Sequence, residues 1–409
     1  MDPMLSYELP APSTAVVERK QHCRAYPSSA STLSHTGTRT VRIRLGGEGF
    51  IDPSSVRLQY TIVNAEGKWM RPYTGPWGVW GTVRLLSGGT EIDHIADYGR
   101  FHTQYMWNQL SMADQWGSAA IEGMHVSDTS ASNNGQPKMG EINGGGSFTC
   151  MHKLGLSLFS NQKLLPVKFA PLEVELTLRD TISDWLNPGN NGSQVFSLTD
   201  VQILYDSMEL DEAVQNALFS SLLKNRVLSI PCMNAHQMVF PVNAGATSIS
   251  FSSVRAFSRL SQVWLTFRKT GPRSTQFICP GPLPGAGDDA DPVAMQNTAV
   301  PQVRLSIGPA NWPNPSPAST SAEMHYMLTK ALGYQPNITR WGFEHESFTM
   351  VFDLKKIPHD VLTSLSTRSG DLLRVEITNL VANQVDECWC TLFNFSVVAV
   401  RESGVSLLT

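Results

Sequence analysis

The sequence predicts an all-β protein built as two similar antiparallel sandwiches in tandem. Three observations carry this: many short segments alternate apolar and polar residues with a period of two, turn-forming residues divide them, and the order of segments in the first half recurs in the second. The chain has 409 residues, enough for two or three domains and for a core that needs no disulfide staples. Hydrophobic residues make up 41%, so apolar burial can offset chain entropy and disorder is not expected. Charged residues are only 16%, against roughly 25% in an ordinary soluble domain, and the net charge is −4. So weak a field gives no general attraction to phosphate backbones.

Residues 1–37 are rich in Pro, Ser, Ala and Thr, with few large apolar residues and nearly cancelling charges. They read as an extended arm, ordered only where it lies on a partner. Val41, Ile43 and Leu45 then alternate with Arg42 and Arg44, the mark of a strand with one buried face. The same pattern recurs where Val56, Leu58, Tyr60 and Ile62 oppose Arg57, Gln59 and Thr61, and where Leu172, Val174, Leu176 and Leu178 oppose Glu173, Glu175, Thr177 and Arg179. Further strands are expected at 83–86, 201–205, 237–242, 248–251, 263–267, 303–307, 348–354, 372–378 and 389–400. Helical spacing is confined to 95–110, 211–223 and 321–332, the last opening on Ser321 and Glu323 and stopping before Gly333.

Two segments interrupt the strands, 111–147 and 270–320, the second running over 270–301 and continuing through 311–320 around the strand at 303–307, and both are rich in Gly, Asn, Pro, Ser and Asp. Loops this long read as insertions carried on a rigid scaffold. The halves share a repeat. Val83-Arg84-Leu85 leads to a helix with Tyr105-Met106, and Val303-Arg304-Leu305 leads over a similar distance to a helix with Tyr326-Met327. Later, Leu172-Glu173-Val174-Glu175-Leu176 matches Leu373-Arg374-Val375-Glu376-Ile377. The expected organisation is an arm (1–37), a first sandwich (38–210), a helical linker (211–225) and a second sandwich (226–409).

The chemistry-bearing residues form no recognisable reactive constellation. Gly46-Gly47-Glu48-Gly49 and Gly144-Gly145-Gly146 lack the lysine and the strand–helix setting of a phosphate loop. The ten histidines, among them His94, His102, His236, His325, His345 and His359, make no paired metal-ligand spacing. Cys388 and Cys390 fall on one face of a strand with no second pair, and with Cys23, Cys150, Cys232 and Cys279 they read as reduced thiols. Glu173 and Glu175 could serve glycoside hydrolysis on a sheet face, but alternating with Thr and Arg they read as a solvated face. Trp77, Trp80 and Trp264 read as packing between sheets rather than as platforms for bases or sugars. Three glycosylation patterns begin at Asn191, Asn337 and Asn394, the last inside an expected strand. No run approaches the roughly 20 apolar residues of a membrane span and no secretory leader precedes the arm, so a soluble chain is expected. No catalytic, cofactor-binding or metal-ligating residue is assigned, and no enzyme activity is expected.

Read in order, several segments resemble the double jelly-roll major capsid proteins of DNA viruses, particularly those of Polinton-like and related eukaryotic viruses. These are Gly49-Phe50-Ile51-Asp52-Pro53 with the strand after it, similar to the family's opening strand pair; Val83 to Asp93 with Ile95-Ala96-Asp97-Tyr98-Gly99; Leu164-Leu165-Pro166-Val167-Lys168 with Ala170 to Leu176; and Phe352-Asp353-Leu354-Lys355-Lys356-Ile357 with Ser369-Gly370-Asp371-Leu372-Leu373. The motifs are short, and the resemblance lies in their order over residues 40 to 400. It implies two tandem eight-stranded antiparallel jelly rolls with a few short helices and long inserted loops. It also implies homotrimers of pseudo-hexagonal outline that tile the icosahedral shell of a virion, with the insertions forming an outward tower. Implied partners are further copies of the chain, penton proteins and minor capsid or cement proteins, with no sequence-specific nucleic-acid binding; an internal membrane is left open. Two other readings stand beside it, a tandem sandwich that binds carbohydrate and a same-fold assembly scaffold missing from mature particles.

Overall fold

The period-two segments fold into long antiparallel strands in a computed structural model that describes residues 17–29, 32–47, 49–70, 72, 75–107, 121–125, 138–161, 163–182, 185–186, 192–223, 227–268, 300–334, 336, 343–344, 348–357, 364–368, 371–383, 385–401 and 404–408. The first half supplies Val17–Ala25 (β1), Thr32–Ser34 (β2), Thr40–Leu45 (β3), Phe50–Asn64 (β4), Trp80–Ser87 (β5), Thr90–Ile95 (β6), Met124–His125 (β7), Lys138–Met139 (β8), Ser147–Lys153 (β9), Leu172–Leu178 (β10) and Phe196–Leu210 (β11). The second supplies Leu228–Pro241 (β12), Ser248–Ser253 (β13), Leu260–Arg268 (β14), Gln302–Ile307 (β15), Ala310–Trp312 (β16), Met350–Asp353 (β17), Leu373–Thr378 (β18), Glu387–Arg401 (β19) and Gly404–Leu408 (β20).

Each half pairs its strands into two facing sheets, β1-β11-β4-β9 over β3-β10-β5-β6 and β12-β19-β14-β17 over β13-β18-β15-β16. Short strands β2 and β20 add to β11 and β19, and β7 and β8 pair apart. Counting the eight core strands of each half in chain order, both halves have sheets ordered 1-8-3-6 and 2-7-4-5. This is the jelly-roll topology twice over. The repeated motifs fall on equivalent elements: Val83-Arg84-Leu85 and Val303-Arg304-Leu305 in β5 and β15, and Leu172 to Leu176 and Leu373 to Ile377 in β10 and β18.

Alternation sets what each roll buries. Val41, Ile43 and Leu45 of β3 and Leu172, Val174 and Leu176 of β10 point inward and are buried, with Tyr60 and Trp80 meeting edge to face at 5.3 Å between the sheets. Each such side chain contributes about 1.5–3 kcal/mol by leaving water. Between the rolls runs the helix Glu212–Leu223, one residue shorter at its start than expected.

Several expectations are corrected. Within the segment read as an arm, Val17–Ala25 is the first core strand of the first roll, in register with β11 from Val17 opposite Leu210 to Ala25 opposite Ile203. It is an edge strand of which only Ala25 is fully buried, so its residues carry no apolar alternation. Gly49 to Pro53 therefore leads into the third core strand rather than an opening pair. The insertion expected to run to 147 gives way there to β9, whose buried residues are Cys150 and His152 rather than aliphatics. The helix expected over 95–110 starts after Asp97, whose carboxylate accepts the Arg100 N–H, and widens at His102–Trp107 into a π-helical turn. The helix Ser321–Leu332 matches its expected range, but Thr320 rather than Ser321 caps it, and Gly333 ends it in the left-handed conformation at φ 79°.

Candidate assembly surfaces

The two rolls meet along a seam built from polar groups at strand ends and aromatic groups at its centre. On the first roll it consists of β6, the helical segment 98–107 and the turn Ser157–Ser160; on the second, of the outer face of β12, β14 and β19. At one end, Asn234 of β12 donates from Nδ2 to the Ile92 carbonyl at 2.8 Å and to Ser157 Oγ at 3.4 Å. The Asp93 carboxylate accepts the Ser157 N–H at 2.7 Å. Burial raises the Asp93 carboxyl, with the bonds from Ser157 and Asn234 acting against it.

The middle of the seam is organised by Asp97. Its N–H donates to Gln237 Oε1 at 2.9 Å while Gln237 Nε2 donates back to the Asp97 carbonyl at 3.3 Å, a reciprocal pair between β12 and the first roll. Its carboxylate receives Arg179 Nη2 at 2.5 Å and lies 3.7 Å from Arg100 Nε. Burial alone would raise this carboxyl, but the charges of Arg179 and Arg100 hold it below its ordinary value. The Arg100 guanidinium is buried, which lowers it to about 10 against the pull of Asp97, and it stacks 4.3 Å from the centroid of the Trp389 ring. Beyond it, Tyr105 packs on Phe393 at 4.3 Å and on Trp264 at 5.2 Å, which themselves touch at 5.9 Å. Gly99 lets the helical segment sit down: a Cβ there would lie 2.9 Å from Gly78 Cα and 2.8 Å from the Arg179 guanidinium.

Under the helical segment, the first roll holds a buried histidine pair. The His102 and His152 rings lie 5.2 Å apart, and Trp77 stacks on His102 at 4.2 Å. Burial keeps both neutral, taking His152 down to about 4 and His102 well below its ordinary value. Trp77 donates to Thr103 Oγ1 at 2.8 Å and is, with Trp80, part of the first roll's core, as their packing role required. Trp264 packs on the outside of its sheet, beneath Tyr105, and not between the sheets.

Other residues weighed on sequence are placed as follows. Glu175 is clasped by Arg42 at 2.7 Å and Arg84 at 2.9 Å; burial raises its carboxyl, but these bonds outweigh it and leave it below the ordinary range. Glu173 stands beside it on β10, 3.7 Å from Arg42. Cys388 and Cys390 are buried free thiols raised by burial. Asn394 is buried in β19 and donates to Ser396 Oγ. His345, His359, Asn191, Asn337, Cys279 and most of both insertions lie outside the described residues. Among the described residues, no group of three or more His, Cys, Asp or Glu side chains could hold a metal ion, and no helix is long and apolar enough to cross a membrane. Sequence reading missed the seam: Asp97 and Gln237 matter through partners 82 to 140 positions away and Arg100 through Trp389, and the one available signal was charged residues inside a helical apolar run.

Among the described residues, the surfaces equivalent to the seam are less covered. The outer face of β11, β4 and β9 presents Gln59, Thr61, Thr149 and Gln202 around a hollow of about 660 Å³, which Arg24, Tyr26 and Asp200 also line. The edge strand β1 is exposed along most of its length, as are Ala310 and Asn311 of β16.

No protein-family model matches the chain, and no curated protein matches it in sequence. Its fold does match solved structures. The chain is similar to VP54 of PBCV-1, as fitted into a cryo-EM reconstruction of the virophage Sputnik, with a TM-score of 0.66, 10% identity and 98% of each chain covered. It is similar to the Faustovirus major capsid protein with a TM-score of 0.67 and 8% identity over 99% of this chain and 92% of that one. The mavirus major capsid protein matches with a TM-score of 0.53 and 8% identity over 98% and 92%. The fold is the double jelly roll of these proteins.

Proposed function

We propose that this chain is a major capsid protein: it self-assembles into trimers of pseudo-hexagonal outline, and these tile an icosahedral virion shell. The observation that carries this reading is the duplicated topology combined with a one-way contact. Strand 5 of the first roll (β6) and the helical segment after it pack on strand 1 (β12) and the outer sheet face of the second roll. Strand 5 of the second roll (β16) and strand 1 of the first (β1) hold the same two places and are exposed. A contact whose two halves differ repeats head to tail, and it closes into a ring when the rotation divides a full turn. Three chains of two rolls each would make six such steps.

The solved structures similar in fold include two described as major capsid proteins, and the composition suits the task. Low charge density and a net charge of −4 let many copies pack side by side without strong mutual repulsion. Modest contacts then sum across a lattice without any one being tight. We take the rolls to divide at the helix Glu212–Leu223, with the inserted segments within 111–147 and 270–320 forming the outward tower. The role is structural rather than enzymatic, its place is the virion shell, and its partners are copies of itself with penton and minor capsid proteins. Negative-stain images of the purified protein test this: particles with six lobes and threefold averages are expected, and isolated two-lobed particles at all concentrations would overturn it.

A further inference from the structure

The internal seam shows what a roll's helix does when it has a partner: Tyr105 leaves its own roll and inserts over the 3–8 strand pair of the neighbouring roll, where β14 and β19 place Gln262 opposite Phe393 and Trp264 opposite Thr391. In the second roll the same connection, between strands 5 and 6, carries the helix Ser321–Leu332. Its Met324 and Leu328 are buried, whereas Tyr326, the tyrosine of the repeated Tyr-Met pair, is 65% exposed. In the first roll, the equivalent strand pair β4 and β11 places Gln59 opposite Gln202 and Thr61 opposite Thr199, with the hollow above Gln59, Thr61 and Gln202. Gln202 also lines the hollow and is itself 5% exposed.

We propose that the exposed face of the helix Ser321–Leu332, centred on Tyr326, seats in this hollow on the first roll of a second copy of the chain. Tyr326 brings an aromatic ring for Tyr26, which lines the hollow and is 63% exposed, and a hydroxyl for the polar side chains around it. The charges match as well. The helix carries Glu323 and Lys330 two turns apart, and the hollow is lined by one cation, Arg24, and one anion, Asp200. The polar lining fits a contact made between separately folded chains, while the aromatic lining of the internal seam fits one that never opens.

This inference rests on the trimer reading and refines it to named residues. The test replaces Tyr326 with the photo-crosslinking residue p-benzoylphenylalanine in the full chain, measures the mass by light scattering, irradiates, and maps the cross-linked peptides. Cross-links between copies to peptides holding residues 24–29, 59–61, 149 or 199–202 are expected. A trimer whose cross-links fall elsewhere, including on residues 1–16 of a neighbour filling the hollow instead, or that forms none, overturns the inference and leaves the trimer standing. A chain that stays monomeric overturns both. Independently, Tyr326→Ala should weaken trimer association roughly 30-fold per contact, the scale of a central aromatic anchor, while leaving the monomer's melting unchanged; an unaltered trimer dissociation constant counts against it.

Discussion

Strands β4 and β14 hold the same place in the two rolls, yet they are buried differently. From Val56 to Asn64, β4 alternates buried and half-buried residues, whereas β14 is buried at every position but Arg268. The same holds for the last core strands: β19 is buried nearly throughout, and β11 has a half-open outer face toward its ends. Both strand pairs use inward aliphatics for their own sandwich, so the difference lies on the outside. There, Trp264 lies under Tyr105 of the first roll and Gln262 donates to the Ala331 carbonyl of the second roll's own helix at 3.2 Å, whereas Gln59 and Thr61 are half-buried and line the hollow. One fold thus presents the same face twice, once covered within the chain and once, among the described residues, less covered.

The contrast can be broken most sharply at its aromatic centre. Trp264→Ala should remove the ring that Tyr105 packs on and cost about 3–5 kcal/mol, read by denaturant unfolding. Thr61→Ala, at the equivalent outer position, loses a cross-strand bond to Thr149 and should cost about 0.2–1 kcal/mol. Equal losses would mean that the seam does not set the difference.

Next in size is Asp97→Asn, which removes the carboxylate that Arg179 and Arg100 share and should cost about 3 kcal/mol. Because Asp97 belongs to the seam and not to the open face, trimer contacts in the folded variant should be unchanged by light scattering.

The two helical segments also rest on different floors, the first roll's on His102 and His152 and the second's on Met324 and Leu328. Both histidines have folded values below the unfolded 6.5, so the unfolded state binds more protons between about 4 and 6.5. Their contribution is complete above pH 6.5 and is lost as the pH falls through that window. For His152 this is roughly 3 kcal/mol. Glu122, pushed up to about 7 by burial, acts oppositely, losing its contribution as the pH rises from 4.5 to about 7. The readout is therefore the difference between His152→Gln and the unaltered chain, and the variant should show the shallower acid-side slope in melting temperature. Parallel slopes would contradict it.

A smaller effect than at the histidines is expected at Glu175→Gln, which weakens the clasp of Arg42 and Arg84 by about 1 kcal/mol and should leave the mass in solution unaltered.

Much of the fold was legible because period-two alternation is a local signal. β3, β10, β15 and β18 follow it, and the Val-Arg-Leu and Tyr-Met repeats mark equivalent strands and helices. What escaped notice was edge structure and long-range contact. Val17–Ala25 carries Glu18, Arg19, Lys20 and Gln21 in succession because an edge strand in this position has no buried face to pattern. Trp264 announced burial but not its partner, since Tyr105 lies on a separate roll. Arg100 gave no sign of stacking on Trp389, nearly three hundred positions away.

The mass of the purified chain in solution tests the central claim most directly. Multi-angle light scattering across a concentration series should give three times 45.0 kDa; a mass that stays at 45.0 kDa throughout would contradict the account.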